Sequence, residues 1–302
     1  MQWTVRIEQA LDEGRFRLYA QRITPLNHSS QGIHAEVLLR MLDADGALIP
    51  PGAFLPAAER FHLASRIDRW VLIQAIKWME ALPVDAKVET LSINLSGQSV
   101  GDRAFHAWTL EVLSSAGSPV CSRLCFEVTE TSAVTNFADA AHFIKQIRAV
   151  GVRVALDDFG AGASSFGYLK TLPVDYLKID GQFVKNVVTD SLDDAAVRCF
   201  IDVARVLGVK TVAEYVENIT VQNHLRDLGV DFVQGYLLHR PSPIDDLIGY
   251  QRVATVSRRR PFICSSIDRL CELRAWLPSA FPEIAPLGFT FRLEPVTDSR
   301  IQ

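Results

Sequence analysis

Glu36, Asn94, Glu127, Asp157, Asp158, Lys178, Glu214 and Gln234 each fall at or near the C-terminal end of a short apolar run. A buried strand should stay apolar, and a carboxylate inside one is costly unless it is paired or bound to a metal. One such residue would need no explanation, but seven strands ending this way are hard to produce by packing alone. The donors are Asp, Glu and an Asn amide, with no His or Cys among them. Hard oxygen donors favour Mg²⁺ or Mn²⁺ over zinc. Asp157 and Asp158 are adjacent and suit two ions, one residue bridging, and two ions about 4 Å apart can clamp an in-line displacement at phosphorus. Glu36, Glu127, Asp157, Asp158 and Glu214 supply five negative charges and Lys178 one positive charge. Two divalent ions neutralise that set before an anionic substrate arrives; without them a phosphate would be repelled.

The elements that must position these residues alternate strand and helix. FRLYAQRI (16–23) and IHAEVLLRML (33–42) read as the first two strands. The next six are TLSINLS (90–96), LCFEVTET (124–131), VRVALDDFG (152–160), VDYLKID (174–180), KTVAEYVE (210–217) and VDFVQGYLL (230–238). Residues 50–82 read as one or two helices, and 105–117, 138–151, 193–208 and 218–229 as one each, several stopped by Gly. Short apolar strands each followed by a helix signal a buried parallel sheet. Eight of them in about 240 residues predict a TIM-like (β/α)8 barrel, whose strand ends converge on one opening. The first two strands are joined by a connection too short for a parallel crossover, so one antiparallel strand is expected near the N-terminus. The barrel is expected over residues 1–250, with a C-terminal extension over 251–302.

The composition fits one large domain. Of 302 residues, 48% are hydrophobic and 22% charged, and the net charge is -4. That balance allows a large core and gives no basic surplus for polymeric nucleic acid. The five cysteines are odd in number and contain no CxxC pair, which reads as reduced thiols, mostly in packing roles, in a cytoplasmic protein. No apolar run approaches the length of a membrane span.

The blocks EVLLR (36–40), INLS (93–96), EVTE (127–130), DDFGAG (157–162), LKID (177–180), AEYVE (213–217) and QGY (234–236) occur in this order at strand ends. Together they resemble the EAL domain family, with Val37 where the signature has Ala. The resemblance covers roughly residues 3–245 and implies hydrolysis of cyclic di-GMP to linear pGpG. A non-catalytic cyclic di-GMP receptor of the same fold is the alternative; members of that kind have usually lost metal ligands, whereas every ligand position is filled here.

The resemblance also implies roles. Glu36, Asn94, Glu127 and Asp157 would hold one metal; Asp157, Asp158 and Glu214 would hold the other, partly through water. Lys178 would orient the attacking water or hydroxide, with Glu214 the other candidate for base. Glu130 would brace the loop after Asp158. Gln21, Leu39, Arg40, Asp180, Glu217, Gln234 and Tyr236 would contact substrate. Ca²⁺ is expected to inhibit, because its looser coordination spoils a two-ion geometry. The commonest family form has Thr at position 161 where this chain has Ala, which predicts a modest change in loop order and retained activity. A homodimer through the loop and helix after Asp158 is implied. The opening MQWTVRIEQALDEGRF resembles the linker from a GGDEF domain to an EAL domain, so GGDEF, sensor or membrane-anchoring segments are expected in a longer protein.

Overall fold

The computed structural model describes residues 2–27, 32–83, 85–162 and 166–249. The strands are β1 (Phe16–Pro25), β2 (Ile33–Leu42), β3 (Leu48–Ile49), β4 (Val88–Leu95) and β5 (Leu124–Thr129), then β6 (Arg153–Phe159), β7 (Tyr176–Ile179), β8 (Lys210–Ala213), β9 (Phe232–Val233) and β10 (Ser242–Pro243). β2, β4, β5, β6, β7, β8 and β9 lie side by side and run parallel. β1 pairs antiparallel with both β2 and β9 and so closes an eight-stranded barrel. The expected barrel and its one antiparallel strand are both present.

Alternation along each strand puts every second side chain inside the barrel. On β4 this interior row is Thr90, Ser92 and Asn94; on β5 it includes Cys125 and Glu127, and on β7 Tyr176 and Lys178. The outer face is apolar and packs under the helices, with Phe126, Leu156, Leu177 and Ile179 all buried. The helices Ala64–Glu80 and Phe137–Ala149 turn an apolar stripe inward, including Leu72, Ala75, Phe143 and Ile147.

Several expected boundaries shift for local reasons. The stretch 50–82 forms two helices, Pro51–Arg60 and Ala64–Glu80, broken where His62 adopts a φ of 56°. β5 stops at Thr129, whose hydroxyl accepts from the Ser132 amide and starts the helix Glu130–Thr135. β8 stops at Ala213, four residues short of the expected end, because Tyr215 takes a φ of 55° and turns the chain out of the ladder. β9 ends at Val233, and the following residues fold into a turn in which the amides of Leu238 and His239 donate to the Gly235 carbonyl. Cys121 and Cys125 are buried, but Cys199 is exposed on its helix. The readings made for residues 163–165 and 251–302, including the C-terminal extension, lie outside the described residues. No helix among the described residues is long and apolar enough to cross a membrane.

Candidate active site

Lys178 organises the barrel mouth. It projects inward from β7 and is 1% exposed. Its Nζ lies 2.5 Å from Glu127 Oε2, 2.8 Å from Glu214 Oε1, 3.1 Å from Asp157 Oδ1 and 3.5 Å from Glu36 Oε2. Burial alone would lower the pKa of the ammonium, but Asp157, Glu127, Glu214 and Glu36 together hold it well above its ordinary value.

One ammonium cannot keep all of these acids ionised. Burial, joined by repulsion from Glu36 and Asp157, pushes Glu127 well above the usual carboxylate range. Burial, again with repulsion from Asp157 and Glu36, raises Glu214 to about 8. Asp158 rises for the same reason, helped by Asp157 and Asp180. Glu36 is the exception. Burial would raise it, but Lys178 and hydrogen bonds from Gln234 and Asn94 bring it below its usual value.

Those hydrogen bonds form a polar chain across β1, β2 and the end of β9. Gln234 Nε2 donates to Glu36 Oε2 at 2.6 Å and to Gln21 Oε1 at 3.1 Å; Gln21 Nε2 donates to the His239 carbonyl at 2.9 Å. Asn94 Nδ2 donates to Glu36 Oε1 at 2.7 Å. The chain fixes the Glu36 carboxylate from both sides.

Asp157 and Asp158 are consecutive on β6 and would ordinarily face opposite ways. Asp158 instead takes a φ of 52°, and the pairing of β6 with β7 slips in register between Leu156 and Phe159. This bulge brings both carboxylates to the mouth. One oxygen from each of Asp157, Asp158 and Glu214 falls within 4.8 Å of the others. Ala161 N donates to the Asp158 carbonyl at 3.1 Å, so the turn closes through the backbone without a hydroxyl at 161. Glu130 accepts from Gly160 N at 3.0 Å and from the Tyr168 hydroxyl at 2.8 Å, tying this loop to the start of its own helix.

The site suits hard divalent cations on its own evidence of charge. Glu127 Oε1 is buried without a hydrogen-bond partner, and several carboxylates have been pushed toward the protonated form. A cation bound among Glu36, Asn94, Glu127 and Asp157, and a second among Asp157, Asp158 and Glu214, would relieve both strains.

The other expected site residues stand around this ring. Arg40 lies four residues beyond Glu36 on the same face of β2; its Nη1 donates to the Leu39 carbonyl at 2.8 Å and its guanidinium lies 5.2 Å from the Tyr19 ring centroid. Leu39 itself is buried, so it offers its backbone and not its side chain to this region. Asp180 caps the short helix Gly181–Val184, accepting from Gln182 N at 2.6 Å. Glu217 is exposed beyond β8, and Tyr236 is 54% exposed beneath the guanidinium of Arg240. Tyr168, Tyr215, Lys185 and His239 also enter the site's contacts. Of these only Tyr215 carried a sequence signal, inside the AEYVE block.

The EAL domain pattern matches residues 4–241. The chain belongs to the EAL domain family. Over 242 residues it is 41% identical to the cyclic di-GMP phosphodiesterase PdeB of Shewanella oneidensis, an overlap of 80% of this chain and 28% of that protein. Over 243 residues it is 37% identical to the cyclic di-GMP phosphodiesterase PdeF of Escherichia coli, covering 80% of this chain and 32% of that one. The chain thus spans about a third or less of the length of these curated relatives. Among solved structures, the EAL barrel superposes on the PaMucR phosphodiesterase in complex with c-di-GMP with a TM-score of 0.73 and 34% identity, over 82% of this chain and 100% of that one.

Proposed function

We propose that this EAL domain hydrolyses cyclic di-GMP to linear pGpG with two divalent cations, Mg²⁺ or Mn²⁺. The observation that carries the reading is the convergence of Asp157, Asp158 and Glu214 within 4.8 Å beside a lysine ringed by four carboxylates. Glu36, Asn94, Glu127 and Asp157 would hold one ion and Asp157, Asp158 and Glu214 the other. Bound there, the ions supply Lewis-acid charge and lower the pKa of water toward neutrality.

The chain's own groups do the rest. Lys178, held charged by its acidic neighbours, orients the attacking oxygen. Glu214 stands beside it as the proton acceptor. Gln234 and Asn94 keep Glu36 ionised and fixed. Arg40 presents a planar guanidinium suited to a phosphate oxygen, and Asp180 can accept from a guanine edge. Gln21, Glu217 and Tyr236 complete the substrate wall. Glu130 holds the loop that presents Asp158. A homodimer through the segment after Asp158 belongs to the same reading, with Phe166, 40% exposed, as an apolar contact.

The test is product analysis with cyclic di-GMP and Mg²⁺ or Mn²⁺. pGpG should accumulate, EDTA should abolish it and excess Ca²⁺ should inhibit. Nucleotide binding without any pGpG would replace this reading by that of a receptor. Full activity in Ca²⁺ would contradict the two-ion mechanism.

A further inference from the structure

Tyr215 follows Glu214 directly and holds a backbone conformation that bulky residues rarely take, with φ at 55°. Its ring is 53% exposed, so packing does little to offset that strain. Strain kept at a site without a packing gain marks a functional demand. The surroundings are built around the ring. Gly181, next to Asp180, leaves room for it, since a Cβ there would collide with the Tyr215 side chain. Lys185 lays its ammonium over the ring, 4.3 Å from the centroid. Lys185 is exposed and makes no ion pair among the described residues.

The charge of a cyclic dinucleotide gives this pair a task. Such a molecule carries two phosphodiesters, and the acid ring with its ions can neutralise only the one being cut. Arg40 is on β2 and Lys185 ends the short helix after β7, four strands away around an eight-stranded ring. Arg40 also spends one donor on the Leu39 carbonyl. Among the described residues Lys185 makes no such hydrogen bond, and its ammonium rests over the tyrosine ring.

The geometry points to Lys185 as the group that binds the non-scissile phosphate of the cyclic dinucleotide, with Tyr215 as the residue that positions it. This rests on the cyclic di-GMP reading above. Binding of cyclic di-GMP to the whole chain in Ca²⁺, by calorimetry, and steady-state kinetics in Mn²⁺ test it. K185M should weaken binding and raise KM about tenfold with kcat little changed. K185R should restore most of the loss. Y215F keeps the ring and should bind like the wild type. Y215G should match K185M in affinity while its Tm does not fall, because glycine relieves the left-handed strain. The double variant should bind no worse than K185M alone. Unchanged affinity in K185M, or additive losses in the double variant, would overturn the inference while leaving the hydrolysis reading intact. A wild-type chain that does not bind cyclic di-GMP would sink both. Should Y215G fail to fold, the K185M and K185R pair still decides.

Discussion

The Lys178 ammonium lies 2.5 Å from one oxygen of Glu127, while the other oxygen of that carboxylate is buried with no hydrogen-bond partner. The lysine is thus the counter-ion for the acid ring in the absence of metal. Removing one partner from a buried ion pair costs about 3–5 kcal/mol, because the other charge is left stranded. K178M should therefore lower the Tm in EDTA by roughly 10 °C. Mn²⁺ should recover part of that loss, since a cation can take over the ammonium's electrostatic role, while turnover stays abolished. Thermal melts with and without metal check this. A wild-type Tm in EDTA would show that the ring does not depend on Lys178.

Glu214 makes the metal-free protein sensitive to base. Its folded pKa is raised to about 8, from an ordinary value of 4.5. A raised pKa contributes stability below the unfolded value, and that stability is lost as pH rises through the folded one. Glu127 is shifted in the same direction. The Tm in EDTA should fall as pH rises from about 4.5 to about 8 and level off above that. Divalent cations need the ionised carboxylates, so Mg²⁺ binding should release protons, and its stabilising effect should grow with pH up to about 8 and then level off. Melts across this range, and calorimetry in two buffers of different ionisation enthalpy, measure both effects. Stabilisation by Mg²⁺ that weakens as pH rises would contradict the assignment of Glu214 as a ligand.

Much of this was legible in the sequence because carboxylates at the ends of apolar strands have few structural uses. Glu36, Glu127, Asp157, Lys178 and Glu214 do meet at one mouth, as the strand count required. What the residues did not disclose was backbone geometry. Alternation alone would point Asp158 away from Asp157, and only its left-handed φ brings it round. Tyr215 stands in the AEYVE block, but its letter does not disclose the φ that cuts β8 short and swings the ring over Gly181. The long-range partners of Glu130 and Gln21, namely Tyr168 and the His239 carbonyl, depend on how loops return to the barrel, and no local pattern encodes that.

Gln234 holds the Glu36 carboxylate in place. Its amide donates to Glu36 Oε2 at 2.6 Å and helps keep that carboxylate ionised. Losing an outer-shell hydrogen bond of this kind typically costs about 10–100-fold in metal affinity or activity. Q234A should fall in that range, with the deficit partly overcome by more metal. E36A removes the ligand itself and should exceed it, with no recovery at high metal. Metal titrations of kcat for the two variants separate these behaviours, and an E36A rate near wild type would refute the metal assignment.

Glu130 ties the Asp158 loop down through two hydrogen bonds, from Gly160 N and from the Tyr168 hydroxyl. Y168F removes one of them and should cost about 1.5–3 kcal/mol of local order, since a hydrogen bond to a carboxylate is lost. E130A removes both and leaves the Gly160 amide unpaired. Asp158 would then sample positions away from Asp157 and Glu214, so the second ion should bind more weakly while the first is little affected. The expected signature is a biphasic Mn²⁺ activation curve in E130A, with only the weaker phase displaced, and faster proteolysis between β6 and β7. Y168F should show the same displacement to a smaller degree. Equal weakening of both phases would mean that Glu130 supports the whole acid ring and not this loop alone.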